Sequence, residues 1–209
     1  MNLTPETIRK RLLSASKSST RQSRESRDQD QKAELIPAAV LIPLFSTANG
    51  WQVLFIKRSE QDHDHHGGQI AFPGGRVEKG DSSLLDTALR EAKEEINLQP
   101  QDVQILGTLN EISTVTHYRV TPFVGQIPWP YPLEPDPREV ERTLSIPLNW
   151  LAAAENKYQK LWKQPERGRE SYPVDYFLPY EDEVLWGASA RIILDFLETV
   201  TEKPHTGSF

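Results

Sequence analysis

Cysteine is absent from the 209-residue chain, which excludes disulfides, thiolate metal sites and a cysteine nucleophile. Long apolar runs are missing too: none approaches the roughly 20 residues needed to span a bilayer. The N-terminal stretch MNLTPETIRKRLLSASKSSTRQSRESRDQDQKAE lacks the apolar core of a secretory signal, and its acids argue against both a transit peptide and a basic arm for RNA. Positive charge is also in short supply, and a net charge of −6 argues against a protein that coats nucleic acid, while leaving room for a local basic pocket. These absences predict a soluble, cytoplasmic protein with neither a nucleic-acid nor a membrane partner, and they leave self-association open. Glycine is sparse, at 11 residues, so the adjacent pair Gly74-Gly75 stands out.

The length suits one domain with some decoration. Thr4 reads as an N-cap with Pro5 at the first helical position, and Ile8, Leu12 and Leu13 form a short apolar stripe. That helix is expected to fade into SKSSTRQSRESRDQDQK, too polar to pack. The predicted organisation is therefore a short helix and polar tether over 1–33, a globular domain over 34–203 and a tail over 204–209. LIPAAVLIPLF and WQVLFIKR flank the turn signal Asn49-Gly50 and predict a hairpin, with Pro37 and Pro43 placing its first strand at an edge or breaking it. Leu85, Ala88, Leu89, Ala92 and Ile96 recur at helical spacing and predict a helix from Asp81 to about Ile96, closed by Asn97. Strand-like runs VQILGTLNEIST and YRVTPFVGQI follow, then the proline-rich loop PWPYPLEPDP. A helix is predicted around Asn149–Lys160, a hairpin in YPVDYFLPYEDEVLWG and a last amphipathic helix in ASARIILDFLETV. Mixed strands and helices without a repeat predict a compact α/β or α+β sandwich.

Glu91, Glu94 and Glu95 lie at i, i+3 and i+4, neighbouring positions beside the apolar stripe. Acids crowded at a helix C-terminus oppose the macrodipole and one another. The bland reading is a solvated face. The alternative is a seat for hard divalent ions such as Mg²⁺ or Mn²⁺, which take oxygen ligands and bind substrate phosphates as well. The preceding glycines favour the latter: the backbone at Gly74-Gly75 can pass close to a ligand, and the Gly75 carbonyl can join a metal shell. Arg90 can orient an adjacent glutamate.

The segment GGRVEKGDSSLLDTALREAKEEINL resembles the Nudix box, G-x5-E-x7-R-E-U-x-E-E-x-G-U with U a bulky aliphatic, through Gly75, Arg90, Glu91, Glu94, Glu95 and Leu98. It departs from it at Asp81 for the first glutamate, with one extra residue before Arg90, a small Ala92 and Asn97 for the late glycine. Upstream, KRSEQDHDHHGGQIAFPGG is similar to the motif that precedes the box in the coenzyme A diphosphatase branch, through Arg58, Ser59, Gly68, Phe72, Pro73, Gly74 and Gly75. There His63 occupies or adjoins an expected arginine, and the loop is one residue longer. YRVTPFVG and LWGASARII also resemble that branch, so the likeness spans about Ile36 to Leu197.

The resemblance implies an α/β/α sandwich with a mixed sheet and a loop–helix–loop motif holding Mg²⁺ or Mn²⁺ against a diphosphate. It implies Glu91, Glu94, Glu95 and the Gly75 carbonyl as metal ligands, with Arg90 in the catalytic machinery. The small-molecule substrate it implies is coenzyme A or an acyl derivative, split to 4'-phosphopantetheine and adenosine 3',5'-bisphosphate. ADP-ribose or another dinucleotide, or a silent binding module on the same fold, are the alternatives. Lys57, Arg58, Phe72 and Gly74 are the expected substrate contacts, the first two by receiving phosphate charge. Family members draw a general base from the box or from a downstream loop, where Glu139 and Glu141 stand. His63, His65 and His66 read as loop polarity or a substrate contact rather than a separate metal site. Trp129, Trp150, Trp162 and Trp186 read as core or rim packing before adenine stacking.

Overall fold

The computed structural model describes residues 3–22, 35–60, 67–164 and 169–201. Residues 23–34 of the expected tether, the histidine cluster at His63, His65 and His66, and the C-terminal tail lie outside these residues; the first part of the tether, 16–22, is instead the last part of a helix that ends at Gln22.

Side chains along β1 (Ile36–Thr47) and β2 (Gly50–Arg58) are buried in near-continuous runs and alternate between two cores, one on each face of the central sheet. Ala39, Leu41 and Phe45 of β1, with Leu54 and Ile56 of β2, pack on Ala88, Ala92 and Ile96 of helix α2 (Leu84–Ile96). Ala38, Ile42, Leu44, Val53 and Phe55 face the other way, onto a core shared with helices α1 (Pro5–Gln22) and α4 (Gly187–Thr201). The result is a sheet covered by helices on both faces. Its strands run in the order β3 (Ile70–Ala71), β2, β1, β7 (Tyr118–Gln126), β5 (Gln104–Thr108). Three more attach to these: β4 (Gly74–Arg76) to β1, β6 (Ile112–Ser113) to β7 and β8 (Val140–Pro147) to β2. β1 and β7 are parallel and the other pairs antiparallel, so the sheet is mixed.

Contrary to the edge position that Pro37 and Pro43 predict, β1 is central and unbroken. On one side it pairs continuously with β7, from Ile36 to Leu44. On the other its partner changes, β4 opposite 38–40 and β2 opposite 44–47, and Pro43 falls in the gap where no ladder bond is required. The hairpin at Asn49-Gly50 is present, with Gly50 at φ 102°.

Helix α2 begins at Leu84 rather than Asp81, because Ser83 caps it by accepting the Asp86 N–H at 3.1 Å. It ends as expected at Asn97, which takes the left-handed conformation (φ 56°) and sends its N–H back to the last turn. The predicted helix around Asn149–Lys160 is only one turn, α3 (Leu148–Ala152); from Lys157 the chain becomes β9 (Lys157–Gln164). β9 pairs with β10 (Arg169–Phe177), and the hairpin expected within 172–187 is present only as two isolated antiparallel bridges, Tyr176 to Trp186 and Tyr180 to Glu183. Tyr158 of β9 stacks on its cross-strand partner Tyr176 of β10, and Trp186 beyond β10 stacks on both Trp162 and Tyr176; this aromatic pairing, which strands favour, overrides the helix formers before it.

The N-terminal helix runs to Gln22 and is not decoration. Thr4 caps it as expected, accepting the Thr7 N–H at 3.2 Å, and Ile8 and Leu12 are fully buried with α4 and β5, while Leu13 is exposed. The packing boundary is thus not at residue 34. Leu12 sits where Gly107 of β5 has no side chain; a Cβ there would lie 2.8 Å from the Leu12 Cβ. Gly107→Ala should therefore cost about 1–3 kcal/mol in urea unfolding, by pushing α1 off the sheet; an unchanged midpoint would mean that α1 is not seated there.

Candidate active site

Arg90 ties the start of the box to its helix. Its guanidinium meets Asp81 through Nε (2.9 Å) and Nη2 (3.1 Å), Glu91 through Nη2 (3.0 Å), Glu94 through Nη1 (2.8 Å) and the Arg76 carbonyl (3.3 Å). Asp81 also accepts from Thr87 Oγ1 and the Glu78 N–H, each at 2.8 Å. Arg90, then the Glu78 N–H, hold the Asp81 carboxyl well below the usual carboxylate range. The aspartate that replaces the box's first glutamate therefore anchors the arginine and fixes the turn before α2. Thr87, fully buried on the core side of the helix, completes that anchor; a lone threonine within the apolar stripe was its only trace in the sequence.

The three box glutamates differ sharply. Glu94 is 54% exposed and lies along Arg90. Glu91 is 12% exposed, and burial raises its pKa against the pull of Arg90. Glu95 is 1% exposed and thus points into the protein, not into a solvated sector. Its Oε2 accepts the Gly74 N–H at 2.9 Å, and its Oε1 is 3.7 Å from Arg58 Nη1. Its pKa is pushed up to about 8, mainly by burial and also by the charges of Glu91 and Glu139, against the downward pull of the Gly74 N–H and Arg58.

Gly74 and Gly75 make this possible. Gly74 has φ 155°, and a Cβ on it would collide with the Ala39 carbonyl across the β1–β4 ladder. A Cβ on Gly75 would land on the Glu91 carboxylate. The turn thus brings backbone directly against two carboxylates.

Strand alternation separates the two expected phosphate contacts. Arg58 faces Glu95, whereas Lys57 points to the opposite face and is held by Glu141 (3.1 Å) and Glu183 (3.0 Å). Arg142 joins Glu183 at 2.9 Å. The structure therefore does not bring Lys57 to the carboxylates. Nor does it bring Phe72, whose ring is buried and stacked on Phe55 at 4.7 Å, part of the core beneath the turn. Of the two downstream glutamates, Glu141 is occupied by Lys57, while Glu139 is exposed and its charge acts on both Glu91 and Glu95. The tryptophans pack: Trp129 on Phe45 at 3.8 Å, Trp150 against Phe177 and Tyr180, and Trp162 on Trp186.

Among the described residues no three His, Cys, Asp or Glu side chains converge closely enough to hold a metal ion in their present rotamers. The donor set nevertheless fits a hard divalent cation. Glu91 and Glu95 are shielded carboxylates whose pKa values burial raises against the pull of Arg90 and Arg58, with the charge of Glu139 acting on both, beside a backbone turn kept clear of any side chain. Glu94 can join them only by releasing Arg90.

Comparison with known proteins settles the family: a family model described as the NUDIX domain matches residues 35–173. The chain belongs to the Nudix family. It is 36% identical over 167 residues to an uncharacterized Nudix hydrolase, NudL, of Pectobacterium atrosepticum, in an alignment covering 80% of this chain and 84% of that one. To the NudL of Photorhabdus laumondii it is 35% identical over 164 residues, covering 78% and 84%. The fold is like that of the MutT protein from Methanosarcina mazei, with a TM-score of 0.50 at 18% identity over 82% of this chain and all of that one. Nudix enzymes hydrolyse nucleoside diphosphate linkages and generally use divalent cations such as Mg²⁺ or Mn²⁺. No helix among the described residues is long and apolar enough to cross a membrane.

Proposed function

We propose that this Nudix protein is a Mg²⁺- or Mn²⁺-dependent diphosphatase that splits coenzyme A or acyl-coenzyme A into 4'-phosphopantetheine and adenosine 3',5'-bisphosphate. The observation that carries the hydrolase reading is Glu95, a carboxylate 1% exposed, aimed at the Gly74 N–H between Glu91 and Arg58. Burying a carboxylate this deeply costs stability whether it stays charged or takes up a proton, and a bound cation would offset that cost. The substrate reading is supported by the run Arg58, Ser59, Gly68 and Phe72-Pro73-Gly74-Gly75, similar to the coenzyme A diphosphatase branch.

Glu91, Glu95 and the Gly75 carbonyl would hold the cation, joined by Glu94 once it turns from Arg90. A cation held there would supply positive charge for the diphosphate oxygens and make phosphorus more open to attack. Arg90 keeps Glu91 in place, and Asp81 keeps Arg90 in place. Arg58 offers a fork of N–H donors to a phosphoryl oxygen at the edge of the cluster. Glu139 accepts the proton of the attacking water; the water oxygen bonds to phosphorus as the bridging P–O bond breaks, and the departing phosphate carries away that oxygen. Gly74 and Phe72 serve the site indirectly, one by fixing Glu95, the other by supporting the turn.

Incubation with coenzyme A, ADP-ribose, NADH and nucleoside triphosphates, with Mg²⁺ and then Mn²⁺, tests the proposal. Coenzyme A should be turned over fastest. Faster hydrolysis of another compound would replace the substrate and keep the reaction; ADP-ribose or a dinucleotide is the reading that the His63 departure favours. Hydrolysis of none would favour a silent binding module.

A further inference from the structure

Ser59 follows Arg58 at the end of β2. Its Oγ donates to the Pro137 carbonyl at 3.0 Å, and its N–H donates to the Glu139 carbonyl at 2.9 Å. The segment it grips is fastened at its other end to α2, where the N–H groups of Glu134 and Asp136 donate to the Ile96 and Glu95 carbonyls at 3.1 and 2.9 Å. Those are orphan carbonyls of the last helical turn, so the segment also caps the helix. Between the two anchors it closes on itself: the N–H groups of Glu139 and Val140 both donate to the Asp136 carbonyl, at 3.0 and 2.7 Å, and the Arg138 N–H donates to Asp136 Oδ1 at 2.9 Å.

The two anchors belong to the site. One is the backbone of Glu95; the other is the neighbour of Arg58, whose guanidinium faces the Glu95 carboxylate. A turn strung between them carries Glu139 past the box, and the charge of Glu139 acts on both Glu91 and Glu95.

We propose that Ser59 is a positioning residue: through the Pro137 and Glu139 carbonyls it holds the 136–139 turn so that the Glu139 carboxylate stands at the box glutamates, ready to take the proton of the attacking water. This rests on the hydrolase reading above, not on coenzyme A as the substrate. The hydroxyl supplies one of the two bonds, and the backbone N–H survives substitution, so the turn should loosen without unfolding.

The test is a double-mutant cycle on whichever compound the wild type turns over. Ser59→Ala should lower kcat about tenfold, the worth of one such hydrogen bond, with KM little changed. Ser59→Thr, which keeps the hydroxyl, should restore most of it. Glu139→Gln should cost about a hundredfold, and the double variant Ser59→Ala/Glu139→Gln should be no slower than Glu139→Gln alone. Hydrogen exchange provides a readout independent of turnover: amides of 136–140 should exchange faster in Ser59→Ala while α2 stays protected. Unchanged kcat, multiplying effects in the double variant, a threonine no better than alanine, or unaltered exchange at 136–140 would each overturn the assignment. Should the wild type hydrolyse nothing, the hydrolase reading and the proton-transfer role fail together, and exchange alone then reports whether Ser59 holds the turn.

Discussion

Replacing Glu95 with glutamine should lower turnover by roughly a thousandfold, about 4 kcal/mol of transition-state stabilisation, while leaving the fold intact. Glutamine has nearly the same shape and can still accept the Gly74 N–H, so the β4 turn keeps its contact. What disappears is a negative charge at the most enclosed oxygen pair of the site, together with its pairing to Arg58. A cation bound there would lose its least hydrated ligand, and calorimetry with Mn²⁺ should show weaker affinity. Glu94→Gln should cost less, because that side chain is half in water and needs a rotamer change to take part. Wild-type kcat in Glu95→Gln would remove the residue from the chemistry.

The metal-free protein should lose stability as the pH rises from about 5 to 8.5, and added Mg²⁺ or Mn²⁺ should abolish that loss. Burial raises the Glu95 carboxyl from an ordinary value of 4.5 to about 8. Between those limits the folded chain holds a proton that the unfolded chain has released, so each unit of pH costs up to about 1.4 kcal/mol. The contribution is whole below pH 4.5 and gone above about 8. Glu91, also raised, acts in the same direction. Asp81 has the opposite sign, but its carboxyl is held low by Arg90 and titrates below this window. Thermal unfolding in chelator across that range checks the slope. Glu95→Gln should flatten it without any cation, linking the two experiments. A flat profile in the wild type would mean that Glu95 stays ionised by some other partner.

Much of the site could be read from local spacing. The i, i+3, i+4 glutamates, the left-handed Asn97 and the glycine pair are all features of one continuous stretch, and helical geometry alone brings them together. What spacing conceals is the third dimension. It gave Glu91, Glu94 and Glu95 one shared sector, whereas packing against β1 and β4 drives Glu95 inward and leaves Glu94 outside. It could not show that Lys57 would be claimed by Glu183, more than a hundred residues away, while its neighbour Arg58 turns to the box. The edge position argued from Pro43 failed for a similar reason: a missing N–H matters only where a neighbour asks for one, and neighbours are not written in the strand itself. The helix expected after Asn149 failed because alanines and lysines carry a local preference that aromatic pairing across β9 and β10 outweighs.

The burial of Ile8 and Leu12 also bears on how much chain such a molecule needs. The stretch that matches its relatives' domain begins at residue 35 and stops at 173, short of the first and last helices that roof one side of the sheet. Cut to those limits, the protein would keep every group proposed to handle phosphate and would present a bare oily floor to water. The length that holds the carboxylates together is shorter than the length that keeps the sheet's second face covered.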